Sequence, residues 1–306
     1  MTSGNNTQNS QDPGEGQVSE RLGRLMALAS ATFLGFNTAL ARLAYDGGSN
    51  PGTVVFVRIV VTTAVVALLI GLTRRRFFLS RSAILPVFGV AFSVVLQGAA
   101  YLSSVAYIPV GLAVLLFYTY PLMVAAASSI VDKQKIERGR LIAFLVAFCG
   151  IGLAVGPSFN VLDWRGIALA LLGGFGVMSI FMCTGAALKH AKPVSISFYS
   201  NLFAIPMITV VMMALDGYQA PTTTTGMAGL LGVCIFYALA ILIQYVAIHT
   251  IGKTLTALLS NVEPLVSIAA GALLLGEVLS GIQYMGGLTV VSALVVSDWM
   301  ARRSAV

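Results

Sequence analysis

The chain has 306 residues, of which 58% are hydrophobic before its 31 glycines are counted and only 9% are charged. Soluble domains average about 45–50% apolar residues and about 25% charged ones, so this composition excludes an ordinary water-soluble domain. A net charge of +7 would point to nucleic acid in a soluble protein. Here the basic residues lie between apolar runs rather than in one patch, and no nucleic-acid partner is expected.

Residues 1–20 (MTSGNNTQNSQDPGEGQVSE) are polar and rich in Gly, Pro and Asn, the composition of a disordered tail. About ten apolar runs follow, near 22–44, 52–72, 82–104, 109–131, 139–156, 163–187, 193–215, 225–248, 254–275 and 279–299. Each approaches the length that a helix needs to cross a hydrocarbon core of about 30 Å. None alternates polar and apolar residues as the strands of a membrane barrel do. The predicted fold is therefore an all-α membrane protein of ten transmembrane helices, with short loops and no separate soluble domain.

Polar side chains punctuate these runs. The first carries Asn37 and the second Arg58, near its outer end. The third offers Ser93, Gln97, Tyr101 and Ser104, and the fourth has Tyr118 and Tyr120 beside Pro121. Glycines cluster at Gly150 and Gly152 in the fifth run and at Gly173, Gly174 and Gly176 in the sixth, where they read as close helix contacts. The seventh run holds Asn201, the eighth Tyr237 and Gln244, and the ninth Ser260, Glu263 and Pro264. Cys149, Cys183 and Cys234 all fall inside apolar runs and read as packing residues, and no metal-ligand spacing exists.

With a cytoplasmic N-terminus, the inner segments carry Arg21, Arg24, Arg74, Arg75, Arg76, Lys133, Lys135, Lys189, Lys192 and Lys253, among others. The outer loops carry Arg165 as their one basic residue. Positive charge retained inside fixes both termini in the cytoplasm of a bacterial-type inner (plasma) membrane, in a multi-pass chain.

Two segments repeat. IPVGLAVLLFYTYPLMV, through Pro121, and IGKTLTALLSNVEPLVS, through Pro264, align without gaps at a spacing of 143 residues (264 − 121). Ile108, Leu112, Leu115 and Leu116 match Ile251, Leu255, Leu258 and Leu259 in that register. Five helices per half give a second half that enters the membrane from the opposite side, so residues 22–156 and 163–299 form inverted repeats. A helix-breaking proline at matching positions in both halves points to the binding site of a transporter. The alternative for either proline alone is an incidental kink.

Glu263 is the acidic residue placed nearest mid-membrane, about 14 Å from the inner end of its helix at 1.5 Å per residue. An ionised carboxylate at that depth costs several kcal/mol unless paired or hydrated. Thr256, Ser260 and Ser267 share its helical face at i−7, i−3 and i+4, which predicts a polar stripe. Glu263 is thus a candidate to couple transport to protons or to neutralise a substrate ammonium group; the alternative is a hydrogen-bond acceptor that locks helices. Pro264 and Pro121 are expected to free the carbonyls of Ser260 and Phe117. Asn37, Gln97, Tyr101, Tyr118, Tyr120, Asn201, Tyr237 and Gln244 are each either a substrate contact or an interhelical hydrogen bond. Arg58 reads as an anchor whose guanidinium snorkels to the outer interface, with substrate binding as the alternative. Neither HExxH nor GxxxxGK[ST] occurs, and no buried His stands beside a nucleophile, so no enzyme is expected.

The segment NVEPLVSIAAGALLLGEVLSGIQYMGG, with Glu263, Pro264, Gly276, Glu277 and Gln283, resembles the second-repeat pattern of the EamA-type drug/metabolite transporters. YPL at Tyr120–Leu122 resembles its weaker first-repeat partner, and Arg58 is also similar to the family pattern. The first repeat departs from it, since DKQKIERGR places Gln134 opposite Glu277. The resemblance implies a ten-helix bundle around a central cavity and a secondary transporter of small amphipathic solutes such as amino acids, often an exporter. Uptake by the same fold, or a channel or sensor, are the alternatives. The expected partners are a small-molecule substrate, the lipid bilayer and, as candidate coupling ion, protons. No cofactor is implied, and monomer and homodimer both remain open.

Overall fold

A computed structural model describes residues 13–303 apart from 74–78, 105–106, 109, 134–137, 156–162, 215–216 and 276–280. The described residues form helices and no strand. In chain order these are α1 (Pro13–Asp46), α2 (Pro51–Thr73), α3 (Arg81–Ser104), α4 (Val110–Phe117), α5 (Tyr120–Val131), α6 (Arg138–Val155), α7 (Trp164–Ala187), α8 (Pro193–Ala214), α9 (Thr224–Ile251), α10 (Lys253–Leu259), α11 (Glu263–Leu275) and α12 (Gly281–Arg303). A 3-10 turn, Ser260–Val262, joins α10 to α11.

Local chemistry sets the starts. Pro51 and Pro193 occupy first helical positions, where a missing N–H costs nothing. The Asn50 side chain accepts from the Thr53 N–H (2.8 Å) and the Asp163 carboxylate from the Arg165 N–H (2.8 Å). The Thr223 hydroxyl accepts from the Gly226 N–H (3.0 Å), so three helices begin on a side-chain cap. Gly252 alone separates α9 from α10, with φ +80, a conformation that residues with a Cβ rarely adopt.

The helix begins earlier than the sequence predicts. α1 starts at Pro13, inside the stretch expected to be disordered, and residues 1–12 lie outside the described ones. Pro13 is pre-set for a first turn, and Glu20 pairs with Arg24 one turn on, at 2.6 Å.

Seven apolar helical stretches among the described residues are long enough to cross a membrane, and a shorter one runs over Leu141–Leu153. Their outward faces carry Leu72, Leu85, Ile130, Val210 and Leu273, all exposed. Their inward faces bury Thr63, Ser93, Asn201, Thr256 and Ser260, each hydrogen-bonded to a backbone carbonyl. That arrangement suits a hydrocarbon solvent, where an exposed leucine costs nothing and a polar group must find an internal partner.

The main core gathers Ile59, Val87, Val90, Phe181, Ile196 and Tyr245. α1 packs on α9 and α11, α3 on α7 and α8, α2 on α8 and α9, α5 on α7 and α10, and α6 on α12. The first apolar run of each half therefore lies against the third run of the other. The turns at one end are tied by Thr222 N–H to Gly47 O (2.8 Å), Ser49 Oγ to Gln219 O (2.8 Å) and Asn50 Nδ2 to Gly217 O (2.9 Å). Between α2 and α3, Ser80 Oγ reaches His190 O at 3.2 Å.

Candidate functional site

The site is built where two helices stop. Pro86 and Pro206 interrupt α3 and α8 without breaking them. Pro121 and Pro264, by contrast, each sit just after a break. At the first, the Thr119 N–H donates to Leu116 O at 3.2 Å and the Thr119 hydroxyl donates to the same oxygen at 2.6 Å. At the second, the Glu263 N–H donates to Ser260 O.

The second bond corrects one expectation. Pro264 does not leave the Ser260 carbonyl free, because the 3-10 turn lets the preceding residue take it at i−3. The same turn, with three residues rather than 3.6 per turn, disrupts the predicted polar stripe. Thr256 donates to Gly252 O (2.7 Å) and Ser260 to Thr256 O (3.0 Å), while Ser267 reaches across to Gly35 O of α1 (3.2 Å).

A glycine from another helix supports each break. A Cβ at Gly35 of α1 would lie 2.6 Å from Val266 Cβ and 2.8 Å from Glu263 O. One at Gly174 of α7 would lie 2.9 Å from Phe117 O. The helices approach that closely because neither residue has a side chain.

Glu263 opens α11 and points at the first break. The Tyr118 hydroxyl donates a hydrogen bond to its carboxylate, and Tyr120 lies within electrostatic reach of it while hydrogen-bonding Ser260. Tyr101 of α3 faces both Glu263 and Tyr45 of α1. Aromatic rings line this region: Tyr101 and Phe117 are 4.7 Å apart, Tyr118 and Tyr120 5.8 Å, and Tyr120 stacks on Phe181 at 6.0 Å.

Arg58 is the second correction. Its guanidinium does not snorkel outward; it lies over the Tyr237 ring, 4.3 Å from the centroid. Nε is buried without a hydrogen-bond partner, and the charge faces Glu263, Tyr45 and Tyr237. α2 turns this residue toward α9, where a tyrosine face replaces part of the lost hydration.

Of the other predicted residues, Asn37 donates to Val233 O (2.8 Å), tying α1 to α9, and Asn201 donates to Ser197 O (2.7 Å) in its own helix. Their amides serve the scaffold. Gln244 is buried in α9, and Gln97 presents its main chain to Gly176. Neither glutamine hydrogen-bonds the Glu263 cluster among the described residues. Gly276, Glu277 and Gln134 lie outside the described residues, and Gln283 falls in α12.

Sequence reasoning missed three members of the site. Phe117, Phe181 and Tyr45 look like ordinary apolar-run residues, and no spacing singles them out. It also read Lys253 only as an inner topology charge and gave no role to Asp132, yet the two form an ion pair at 2.8 Å between the start of α10 and the end of α5. The pair borders a pocket of about 350 Å³ lined also by Gly185, Lys189, His249 and Leu255.

Paired helix breaks around a carboxyl and a guanidinium, in a bundle with an apolar outer face, are the architecture of a membrane transporter rather than an enzyme. Residues 21–156 and 164–297 each match the model of the EamA-like transporter family, and the chain belongs to that family. Threonine/homoserine exporters RhtA from two strains of Salmonella typhimurium, SL1344 and LT2, are 27% identical over 207 residues, or 65% of this chain. The chain spans 66% of the length of these curated relatives. A solved crystal structure superposes with a TM-score of 0.75 at 15% identity, over 91% of this chain and 98% of the other, a likeness of fold alone.

Proposed function

We propose that this protein is a secondary transporter that exports small amino-acid-like or other amphipathic metabolites by alternating access. Ten spanning helices form two inverted five-helix repeats, 22–156 and 163–299, with both termini in the cytoplasm. The observation that carries the reading is the pair of helix breaks at Pro121 and Pro264, which face one another across Glu263 and Tyr118. The exchange of partners between halves supports the inverted repeat, as do the two successive family matches. The relatives named as threonine/homoserine exporters support both direction and solute class.

Glu263 is the group on which transport turns. A carboxylate that holds either a proton or a substrate ammonium, but not both, couples the two by competition. Overexpression should raise resistance to toxic amino-acid analogues and lower their intracellular level. Increased sensitivity would reverse the direction to uptake.

The breaks give a mechanical prediction. Pro121→Ala and Pro264→Ala restore a backbone donor and favour continuous helices. Each is expected to lower turnover while folded yield holds or rises; normal turnover in both would make the breaks incidental.

Lys253 and Asp132 close the inner side in this conformation. Their side chains are 13% and 25% exposed, so the pair contributes about 1 kcal/mol at most. Lys253→Ala should shift the population toward the inward-open form by up to about fivefold, read as faster alkylation of a cysteine at Leu255. The charge swap Lys253→Asp with Asp132→Lys should restore the slow rate. Labelling also tests orientation. Cysteines at Ser82 and Thr224, both exposed, should be respectively protected from and open to an impermeant reagent in intact cells. Reaction at both would contradict the ten-helix topology.

A further inference from the structure

Arg58 and Glu263 are opposite charges inside one bundle, yet they do not pair. No ion pair joins them among the described residues, although each lies within electrostatic reach of the other. A half-buried cation and anion left apart inside the bundle forgo the attraction that would offset their desolvation. The separation is maintained from both sides. Tyr237 holds the guanidinium from below at 4.3 Å, and Tyr118 holds the carboxylate by a hydrogen bond. Tyr101 and Tyr45 complete the rim, since Tyr101 faces both Glu263 and Tyr45, and Tyr45 faces Arg58. Nε of Arg58 is buried and has no acceptor. A guanidinium is a planar fork that matches a carboxylate, so its unused donor marks where an acceptor is missing.

We infer that Arg58 and Glu263 are the two ends of a clamp for a zwitterion, Arg58 taking the carboxylate and Glu263 the ammonium of an α-amino acid whose side chain rests on the tyrosines. The clamp rests on the transporter reading and deepens it, because it names what the site demands of its solute. The two charged groups of an α-amino acid are one carbon apart, so one molecule can satisfy both poles at once. A solute with only one charge would cover the other pole without pairing it, at a desolvation penalty that weakens its binding.

The experiment is competition in solute exchange by the full chain in proteoliposomes, with labelled L-threonine as the probe. The competitors are unlabelled L-threonine, L-threoninamide, which lacks the carboxylate, and 3-hydroxybutyrate, which lacks the ammonium. In the unaltered protein, the amide and the deaminated acid should each compete about 10- to 100-fold more weakly than L-threonine. Arg58→Gln should weaken L-threonine by a similar factor and leave the amide unchanged. Glu263→Gln should weaken L-threonine and leave the deaminated acid unchanged. Should Arg58→Gln fail to fold, Arg58→Lys keeps the charge but loses the fork, and it should still cost L-threonine several-fold relative to the amide.

Equal competition by all three solutes would overturn the clamp and leave the transporter reading standing. So would exchange of a solute from a wider metabolite mixture when L-threonine does not exchange. Absence of exchange for every solute would overturn the transporter reading itself, and the clamp with it.

Discussion

Glu263→Gln is expected to lower gradient-driven transport by about 10- to 100-fold while the folded yield stays near that of the unaltered protein, the range set by losing one charged hydrogen bond. The amide keeps the shape of the side chain and an oxygen for the Tyr118 hydroxyl, so the contact between the two helix breaks survives. It removes the negative charge and the capacity to exchange a proton. The accompanying measurements separate its duties. A solute held through its ammonium should bind more weakly, whereas a pure proton-coupling role should leave exchange intact and abolish only the response to a pH gradient. Unchanged affinity together with an unchanged pH response would reduce Glu263 to a helix-locking acceptor.

Gly35→Ala should be among the most damaging single methyls added to the bundle. The new carbon would meet Val266 Cβ at 2.6 Å and the Glu263 carbonyl at 2.8 Å, and the second of these is backbone that cannot rotate away. α1 and α11 must then separate, and the Ser267 bond to Gly35 O (3.2 Å) stretches with them. Overpacking of this kind costs about 1–3 kcal/mol. Thermal unfolding in detergent should show a clear fall, and turnover should fall further because the displaced carbonyl belongs to Glu263, the proposed coupling residue. Gly71→Ala is the control: nothing lies within 4 Å of its added carbon, and it should behave as the unaltered protein. Equal stability of the two variants would mean that α1 does not hold the break.

The helices were legible because apolar runs of membrane length leave little choice of structure, and runs such as 52–72 and 193–215 match α2 and α8 closely. The breaks were legible as positions, through Pro121 and Pro264, but not in form. Whether a freed carbonyl stays open or is retaken depends on the preceding turn, and at Ser260 the retaking N–H belongs to Glu263. Side-chain roles were harder. An asparagine in a run of leucines has the same appearance whether it holds a solute or a backbone carbonyl, and Asn37 and Asn201 proved to hold carbonyls. Arg58 was misjudged because its distance from the helix end suggested an escape to the interface. The decisive fact was which neighbour it faced, and Tyr237 is 179 positions away (237 − 58).

The most direct test of the central claim is counterflow. Proteoliposomes loaded with excess unlabelled L-threonine and diluted into a trace of labelled L-threonine should accumulate label transiently above its external concentration, with an initial rate that saturates. Only a site exposed to one side at a time produces that overshoot. A rate linear in concentration, with no overshoot, would contradict alternating access and make the protein a channel.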